Sequence, residues 1–394
     1  MRESYVARQP IHDRALRVVG YELLFRGSEL SSSSNGSGDE ATSRTLLTAL
    51  TEIGLEPLVG RRKAYVNATR SFLVDGHVRV CPPDRFVLEV LEDVVVDVEL
   101  LDTLRVLRSE GYAIALDDFV YRDELRPLLE LAEVVKLDVL AHGDRLAEQV
   151  ELLRPFDVHL LAEKVETHEA MELCTDLGFE LFQGFFFCRP RTVTERGISA
   201  SRLTRLQLLS SLNDPDLELE ELARIVECDV ALSYRLLRYV NSTYVGLAQP
   251  VDSIRKALVL LGVQTLRAWA SLFVLAQMGE APVELRATAM ARARMCERVA
   301  PELGLSPQTA FTAGLFTVID ALMDQKMEAV LEELPLSDVV KAALLRHEGD
   351  LGALLGRVLA YEAGTLPSDG ASLCGPYLEA IAWADQVSGA VQAD

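Results

Sequence analysis

The chain has 394 residues, 49% hydrophobic and 25% charged; that is an ordinary globular composition, which excludes a disordered, collagenous or coiled-coil chain, and at about 150 residues per domain it predicts two or three domains. Sixty acidic residues against 39 basic ones leave a net charge of −21, which argues against nucleic-acid binding, where affinity needs a basic stripe, and against attachment to anionic lipid. The opening MRESYVARQPIHDR has no apolar h-region, no apolar run nears the ~18 residues of a membrane span, and six cysteines lie scattered with no CxxC pair, so the expectation is a cytoplasmic chain with reduced thiols, neither disulfide-framed nor zinc-binding.

In chain order, strand patterns over Tyr5–Pro10 and Leu16–Phe25 are joined by His12–Ala15. That connection is too short for a crossover helix, so the pair is predicted antiparallel. The serine- and glycine-rich stretch Ser28–Glu40 cannot pack a core and reads as a mobile surface loop. Strand patterns follow at Lys63–Asn67, Phe86–Val90, Tyr112–Asp117, Val134–Asp138, His159–Glu163 and Phe179–Gln183, with helical ones among them at Val98–Ser109, Leu146–Leu153 and His168–Leu177. The later strands are short apolar runs, as strands buried on both faces require. Eight strands with helical returns predict an α/β TIM-like (β/α)8 barrel with an antiparallel first strand pair over residues 1–196. The polar stretch Arg191–Arg202 reads as a linker. Residues 201–394 then read as an all-α helical domain, with helices at Ser253–Leu261, Gln264–Gln277, Leu285–Ala300, Gln308–Ala321, Ser337–His347 and Leu351–Glu362. Ser253 and Ser306 read as helix starts, and Gly262 and Gly304 as stops.

Polar residues collect where the barrel strands end: Asn67, Glu89 and Glu92, Asp117 and Asp118, Lys136 and Asp138, Glu163 and Glu166, and Gln183, with Glu22 inside the second strand. In a barrel these carboxyl ends converge on one mouth, where catalytic groups are found. Charges within apolar strands are costly unless they are paired or bound to a cation. Carboxylates with an amide oxygen, and neither histidine nor thiol, form a hard set that suits Mg²⁺ or Mn²⁺ rather than zinc. Such a set repels phosphate unless metal ions invert the field, and two ions could bridge a phosphodiester. A plainer reading pairs Lys136 with Asp117 and Arg26 with Glu22.

The same residues stand in motifs that resemble the EAL domain, the family of cyclic-di-GMP phosphodiesterases. They are Gln9-Pro10-Ile11 with Gly20-Tyr21-Glu22-Leu23-Leu24-Phe25-Arg26, Val66-Asn67, Leu88-Glu89-Val90-Leu91-Glu92, Asp117-Asp118-Phe119, Lys136-Leu137-Asp138, Ala162-Glu163-Lys164-Val165-Glu166-Thr167 and Gln183-Gly184-Phe185. The resemblance implies Glu22, Asn67, Glu89 and Asp117 as metal ligands, with Asp118 alongside. It implies Glu163 as general base or further ligand, and Lys136 holding the attacking water or a phosphate. Gln183 would close the metal site, Arg26 would contact a ligand phosphate, and Glu92 would anchor the loop after strand five. The segments Leu232–Asn241, Ile254–Trp269 and Ala313–Asp320 resemble the HDOD domain, a relative of HD-type phosphohydrolases. Thr317 and Val318 stand where catalytic relatives carry His and Asp, and the domain's one histidine is His347. This half is therefore expected to be non-catalytic and to engage a protein partner.

One departure bears on activity. Active EAL proteins continue the DDF motif with Gly-Thr-Gly, whereas this chain has Val120-Tyr121-Arg122. Valine and tyrosine resist the φ > 0 conformations open to glycine, so the loop must run differently. Leu91 also removes a hydroxyl that could hold it, and Leu23 adds bulk beside Glu22. The resemblance thus implies a bacterial signalling protein whose barrel acts mainly as a nucleotide- or partner-binding module coupled to an HDOD output domain. The alternative is active Mg²⁺- or Mn²⁺-dependent opening of cyclic di-GMP to the linear dinucleotide pGpG. A homodimer is a further implied assembly.

Overall fold

A computed structural model describes residues 4–27, 54–188, 200–214, 217–228, 253–276, 282–334, 336–366 and 372–392, with Ser233, Leu236 and Val240 between. The serine-rich stretch Ser28–Glu40 lies outside the described residues, as does the linker up to residue 199; residues 200–202 already belong to a helix, Ala200–Leu212. The chain divides into two compact units, one of Met1–Arg189 with Ala360–Leu378 and the other of Pro190–Leu359 with Glu379–Asp394.

The first unit is a closed eight-stranded barrel in the order β1 to β8. Its strands are β1 Ser4–Asp13, β2 Val18–Gly27, β3 Lys63–Ala68, β4 Phe86–Val90, β5 Ala113–Leu116, β6 Val134–Asp138, β7 His159–Glu163 and β8 Leu181–Gln183. β1 runs antiparallel to both β2 and β8, and every other pair is parallel. The β1–β2 turn lies slightly later than predicted, because Leu16 adopts φ 58° there and Asp13 Oδ1 accepts the Ala15 and Arg17 N–H groups.

Two-residue alternation decides what points inward. Ile11, Tyr65, Val87, Ala113, Ala115, Val134 and Leu161 pack together as the interior core, with Leu181 against them. Gly20 sits opposite Ile11, and a Cβ there would meet the Tyr65 ring at 2.8 Å. Two residues further along each strand, still on the inner face, stand Glu22, Asn67, Glu89, Asp117, Lys136, Glu163 and Gln183. The interior is thus an apolar layer capped by a polar one at the C-terminal mouth.

β8 has only three residues and pairs β1 at Ile11–Asp13 alone. Beyond that reach, the Arg8 N–H donates to the Tyr377 hydroxyl at 3.2 Å. A side chain from residues 360–378 of this unit therefore satisfies a backbone donor that β8 is too short to meet.

The second unit is helical. Its longest element, Ile254–Ala276, is two helices broken at Gly262, whose φ 76° and ψ 161° are non-helical; the predicted stop is therefore real. Val283–Val299 continues into a 3-10 turn closed by Gly304 at φ 67°. Ser306 caps the next helix by accepting the Thr309 N–H at 3.3 Å. The predicted helix Gln308–Ala321 is in fact Pro307–Phe316 and Ile319–Met323. The break falls at Thr317, whose hydroxyl donates back to the Gly314 carbonyl at 2.7 Å and competes with helix continuation. Among the described residues no helix is long and apolar enough to cross a membrane.

Candidate active site at the barrel mouth

The Lys136 ammonium is the centre of the polar layer. Its Nζ lies 2.7 Å from Glu89 Oε1, 2.7 Å from Asp117 Oδ1, 2.9 Å from Glu163 Oε1 and 3.4 Å from Glu22 Oε2. Lys136 and Glu89 are fully buried, and Glu22, Asp117 and Glu163 nearly so. The simple Lys136–Asp117 pair read from the sequence is present, but as one of four.

Amides complete the ring. Gln183 Nε2 donates to Glu22 Oε2 at 2.5 Å and to Gln9 Oε1 at 2.9 Å. Asn67 Nδ2 reaches Glu22 Oε1 at 3.5 Å, the limit of a hydrogen bond. Four oxygens of this buried layer, Asn67 Oδ1, Glu89 Oε2, Glu163 Oε2 and Gln183 Oε1, have neither a hydrogen bond nor an ion pair to Lys136 among the described residues. Burial of such acceptors costs free energy unless a donor or cation arrives.

Charge balance gives the same result. Burial, then the Glu22 carboxylate, pushes Glu89 well above the usual carboxylate range. Burial likewise raises Glu163 to about 7, against the pull of Lys136 and with further upward push from Asp117 and Glu22. Burial opposes the charge on Lys136, yet Glu22, Glu89, Glu163 and Asp117 together hold its pKa well above that of an ordinary lysine. One ammonium cannot neutralise four adjacent carboxylates, so this layer accepts either protons or further cations. Among the described residues no three His, Cys, Asp or Glu side chains already stand in ligating arrangement; the ammonium holds the middle of the carboxylates. The donor set, with its unsatisfied oxygens, fits a hard divalent cation.

The second half of the acidic pair turns elsewhere. Asp118 adopts φ 40°, and its Oδ1 lies 3.6 Å from Lys164 Nζ. Lys164 also donates to Asp138 Oδ2, and Asp138 accepts the Leu140 and Ala141 N–H groups at 2.8 and 2.9 Å. Burial would raise Asp138, but the Lys164 ammonium and those N–H donors outweigh it and hold the carboxyl below its ordinary range.

The loop after β5 is held by contacts to β6 and to the helices that follow it. Its left-handed residue is Asp118; Val120 and Tyr121 are not left-handed. The Phe119 N–H donates to the Lys136 carbonyl at 3.0 Å, His142 Nε2 lies 3.0 Å from the Phe119 carbonyl, and the Tyr121 N–H donates to Gln149 Oε1 at 2.8 Å. Asp117, just before the loop, keeps its contact with Lys136. Glu92, the expected anchor, is exposed in the turn after β4, and among the described residues it shows no hydrogen bond or ion pair to this loop. The described contacts that hold it are those of Gln149 and His142, on the helices after β6. Arg26 lies on β2 opposite Tyr5, and its side chain is outside the described residues.

Gln149 and His142 lie outside the motifs, and Gln9 and Lys164 lie within them but received no role from the sequence. Antiparallel register alone would have found Gln9, which pairs with Glu22 across β1 and β2. In the helical unit, Thr317 is bonded by Arg292 Nη1 at 3.3 Å, and burial raises the Asp320 carboxyl to about 6.

Two family models match the chain. The EAL domain family matches residues 77–190 and the HDOD domain family residues 202–357. A Vibrio cholerae serotype O1 protein named cyclic di-GMP phosphodiesterase CdgJ is 35% identical over 362 residues, covering 90% of this chain and 84% of that protein. This chain belongs to the EAL–HDOD family. YuxH of Bacillus subtilis is 31% identical over 400 residues, covering 96% of this chain and 97% of that protein. A solved structure titled PaMucR phosphodiesterase, c-di-GMP complex, is 24% identical, covers 47% of this chain and 95% of that chain, and has a TM-score of 0.40.

Proposed function

We propose that this EAL–HDOD protein is a cyclic-di-GMP phosphodiesterase of the divalent-cation-dependent kind, forming the linear dinucleotide pGpG. The observation that carries the reading is the convergence of Glu22, Asn67, Glu89, Asp117, Glu163 and Gln183 around Lys136, with buried oxygens that no protein donor satisfies. Its resemblance to CdgJ extends over 90% of the chain and supports the same substrate.

Glu22, Asn67, Glu89 and Asp117, with Asp118 beside them, would hold Mg²⁺ or Mn²⁺. When bound, the cations supply the positive charge that a phosphodiester needs among carboxylates and make water a better nucleophile at neutral pH. The chain's own groups do the rest. Glu163 Oε2 is buried, accepts no hydrogen bond and belongs to a carboxyl whose pKa stands near 7, which suits a general base. It takes a proton from water as that oxygen bonds to phosphorus and the bond to the ribose 3′ oxygen breaks; the 3′ oxygen leaves with a proton drawn from solvent. Lys136, fixed by four carboxylates, holds positive charge beside the phosphate. Gln183 orients Glu22, and Arg26 contacts the second phosphate. The HDOD half passes the signal to a protein partner without catalysis of its own.

A binding-only module is the second reading, favoured by the loop after β5 with its anchors Gln149 and His142. Chromatography of full-length protein with cyclic di-GMP and Mn²⁺ or Mg²⁺ separates the two. We expect pGpG, and a fall in kcat of about 10²–10⁴ for Glu163→Gln. Tight binding of cyclic di-GMP with no pGpG at saturating metal would leave only the binding module.

A further inference from the structure

Lys164 is an unusual residue for its place. It follows Glu163 directly, yet the two side chains diverge: Glu163 Oε1 meets Lys136, whereas Lys164 reaches Asp118 and Asp138. Its backbone stands at φ 55°, a conformation that glycine adopts freely and a lysine adopts at a cost. The neighbours impose it. The Val165 N–H donates to the Gln183 carbonyl at 3.0 Å, and the Val165 carbonyl accepts the Phe186 N–H at 3.2 Å. Gly184 presses so closely on Val165 that a Cβ there would overlap its backbone. The segment after β7 is thus locked onto the segment after β8, and residue 164 must turn left-handed between them.

A charged side chain at so strained a position calls for a reason, and its contacts supply one. Asp118 is the acid placed beside the cation ligands, and Asp138 lies at the end of β6, two residues beyond Lys136. We propose that Lys164 is a built-in monovalent cation that competes with a divalent ion for the Asp118–Asp138 side of the mouth and so weakens the second metal position. This rests on the metal-dependent reading of the mouth given above. The Asp118 pair is half open to solvent, with side-chain exposures of 53% for Lys164 and 43% for Asp118. Exposed pairs of this kind are weak. The ammonium therefore tunes the position rather than closing it, and a divalent ion at sufficient concentration displaces it.

The test is a Mn²⁺ titration of the full-length protein, followed by electron paramagnetic resonance of free Mn²⁺, for wild type, Lys164→Gly, Lys164→Gln and Lys164→Arg. Lys164→Gly removes charge and strain together; Lys164→Gln removes the charge and keeps the strain; Lys164→Arg keeps both. We expect the weakest class of bound Mn²⁺ to tighten about fivefold in Lys164→Gly and Lys164→Gln, the factor a stronger exposed ion pair supports, and to stay unchanged in Lys164→Arg. Identical titrations for all four chains would overturn the competition and leave the metal-dependent reading standing. Tightening in Lys164→Gly without Lys164→Gln would also overturn it, since relief of strain would then be the cause. Absence of Mn²⁺ binding in every chain would remove both the competition and the reading beneath it.

Discussion

The two units treat buried charge in opposite ways. At the barrel mouth, four carboxylates crowd one ammonium, and several of their oxygens are left without donors. In the helical unit, the segment that would carry His and Asp in a metal-dependent relative has a hydroxyl held by Arg292 and an aliphatic Val318 that is fully buried. Only Asp320 remains there as an acid. Burial raises its carboxyl to about 6, with Arg292 opposing and Glu328 adding a smaller upward push. The lesson is that a buried acid by itself is little evidence of chemistry; what distinguishes the mouth is an excess of acids that no internal cation can balance.

The largest effect should come from removing the one internal cation. Lys136→Met leaves Glu22, Glu89, Asp117 and Glu163 facing each other without compensation. Losing one partner of a buried ion pair typically costs about 3–5 kcal/mol, and hydrogen exchange of the β4 and β6 amides should register a loss of that order. Mn²⁺ should then restore protection more in the variant than in wild type, because ligand binding stabilises by mass action. A loss below about 1 kcal/mol would show that the acids are neutral without Lys136, and the contrast between the units would weaken.

Much of this arrangement was legible in the chain because a strand repeats every two residues. Val87 and Glu89, Val134 and Lys136, and Leu161 and Glu163 are inner-face neighbours, so finding the strands also found the polar layer above the core. The eight strands and the helix stops at Gly262 and Gly304 were legible for the same local reason. What stayed hidden depended on distant partners. Glu92 has the motif position of an anchor but is exposed, while the loop after β5 is held by Gln149 and His142, which no motif marks. The left-handed turns at Asp118 and Lys164 come from packing between neighbouring loops, and neither residue type announces them. Tyr377 meets Arg8 across 369 positions of sequence, which no local pattern encodes.

A second way to sharpen the comparison uses a lone titratable group in the barrel. His12 on β1 is fully buried against the Phe186 ring, and burial lowers its pKa to about 4 despite the opposing pull of Asp13. In the unfolded chain the imidazole takes a proton near pH 6.5, and in the folded chain only near 4. Its contribution is therefore complete above 6.5 and is lost as pH falls to 4, by about 3 kcal/mol in all. Urea unfolding of wild type and His12→Gln at pH 7.5, 5.5 and 4.5 should show a difference in slope of this sign. Parallel curves would mean that folding leaves the imidazole pKa where it is in the unfolded chain, and a slope of the opposite sign that a carboxylate holds His12 protonated in the fold, as carboxylates hold Lys136.

The smallest expected effect is the counterpart in the helical unit, and its direction is reversed. Asp320 has a folded pKa near 6 against 3.8 in the unfolded chain. Its contribution is complete below 3.8 and is lost as pH rises through 6, so at pH 7.5 the buried carboxylate works against folding. Asp320→Asn keeps the acceptor for the Ala321 N–H, which meets Oδ1 at 2.9 Å, and removes the charge. It should stabilise the protein at pH 7.5 by about 3 kcal/mol at most and far less at pH 4. Chemical denaturation at those two values reads both. Destabilisation at pH 7.5 would instead mean that the helical unit needs this carboxylate charged, and the two units would then differ only in the number of their acids.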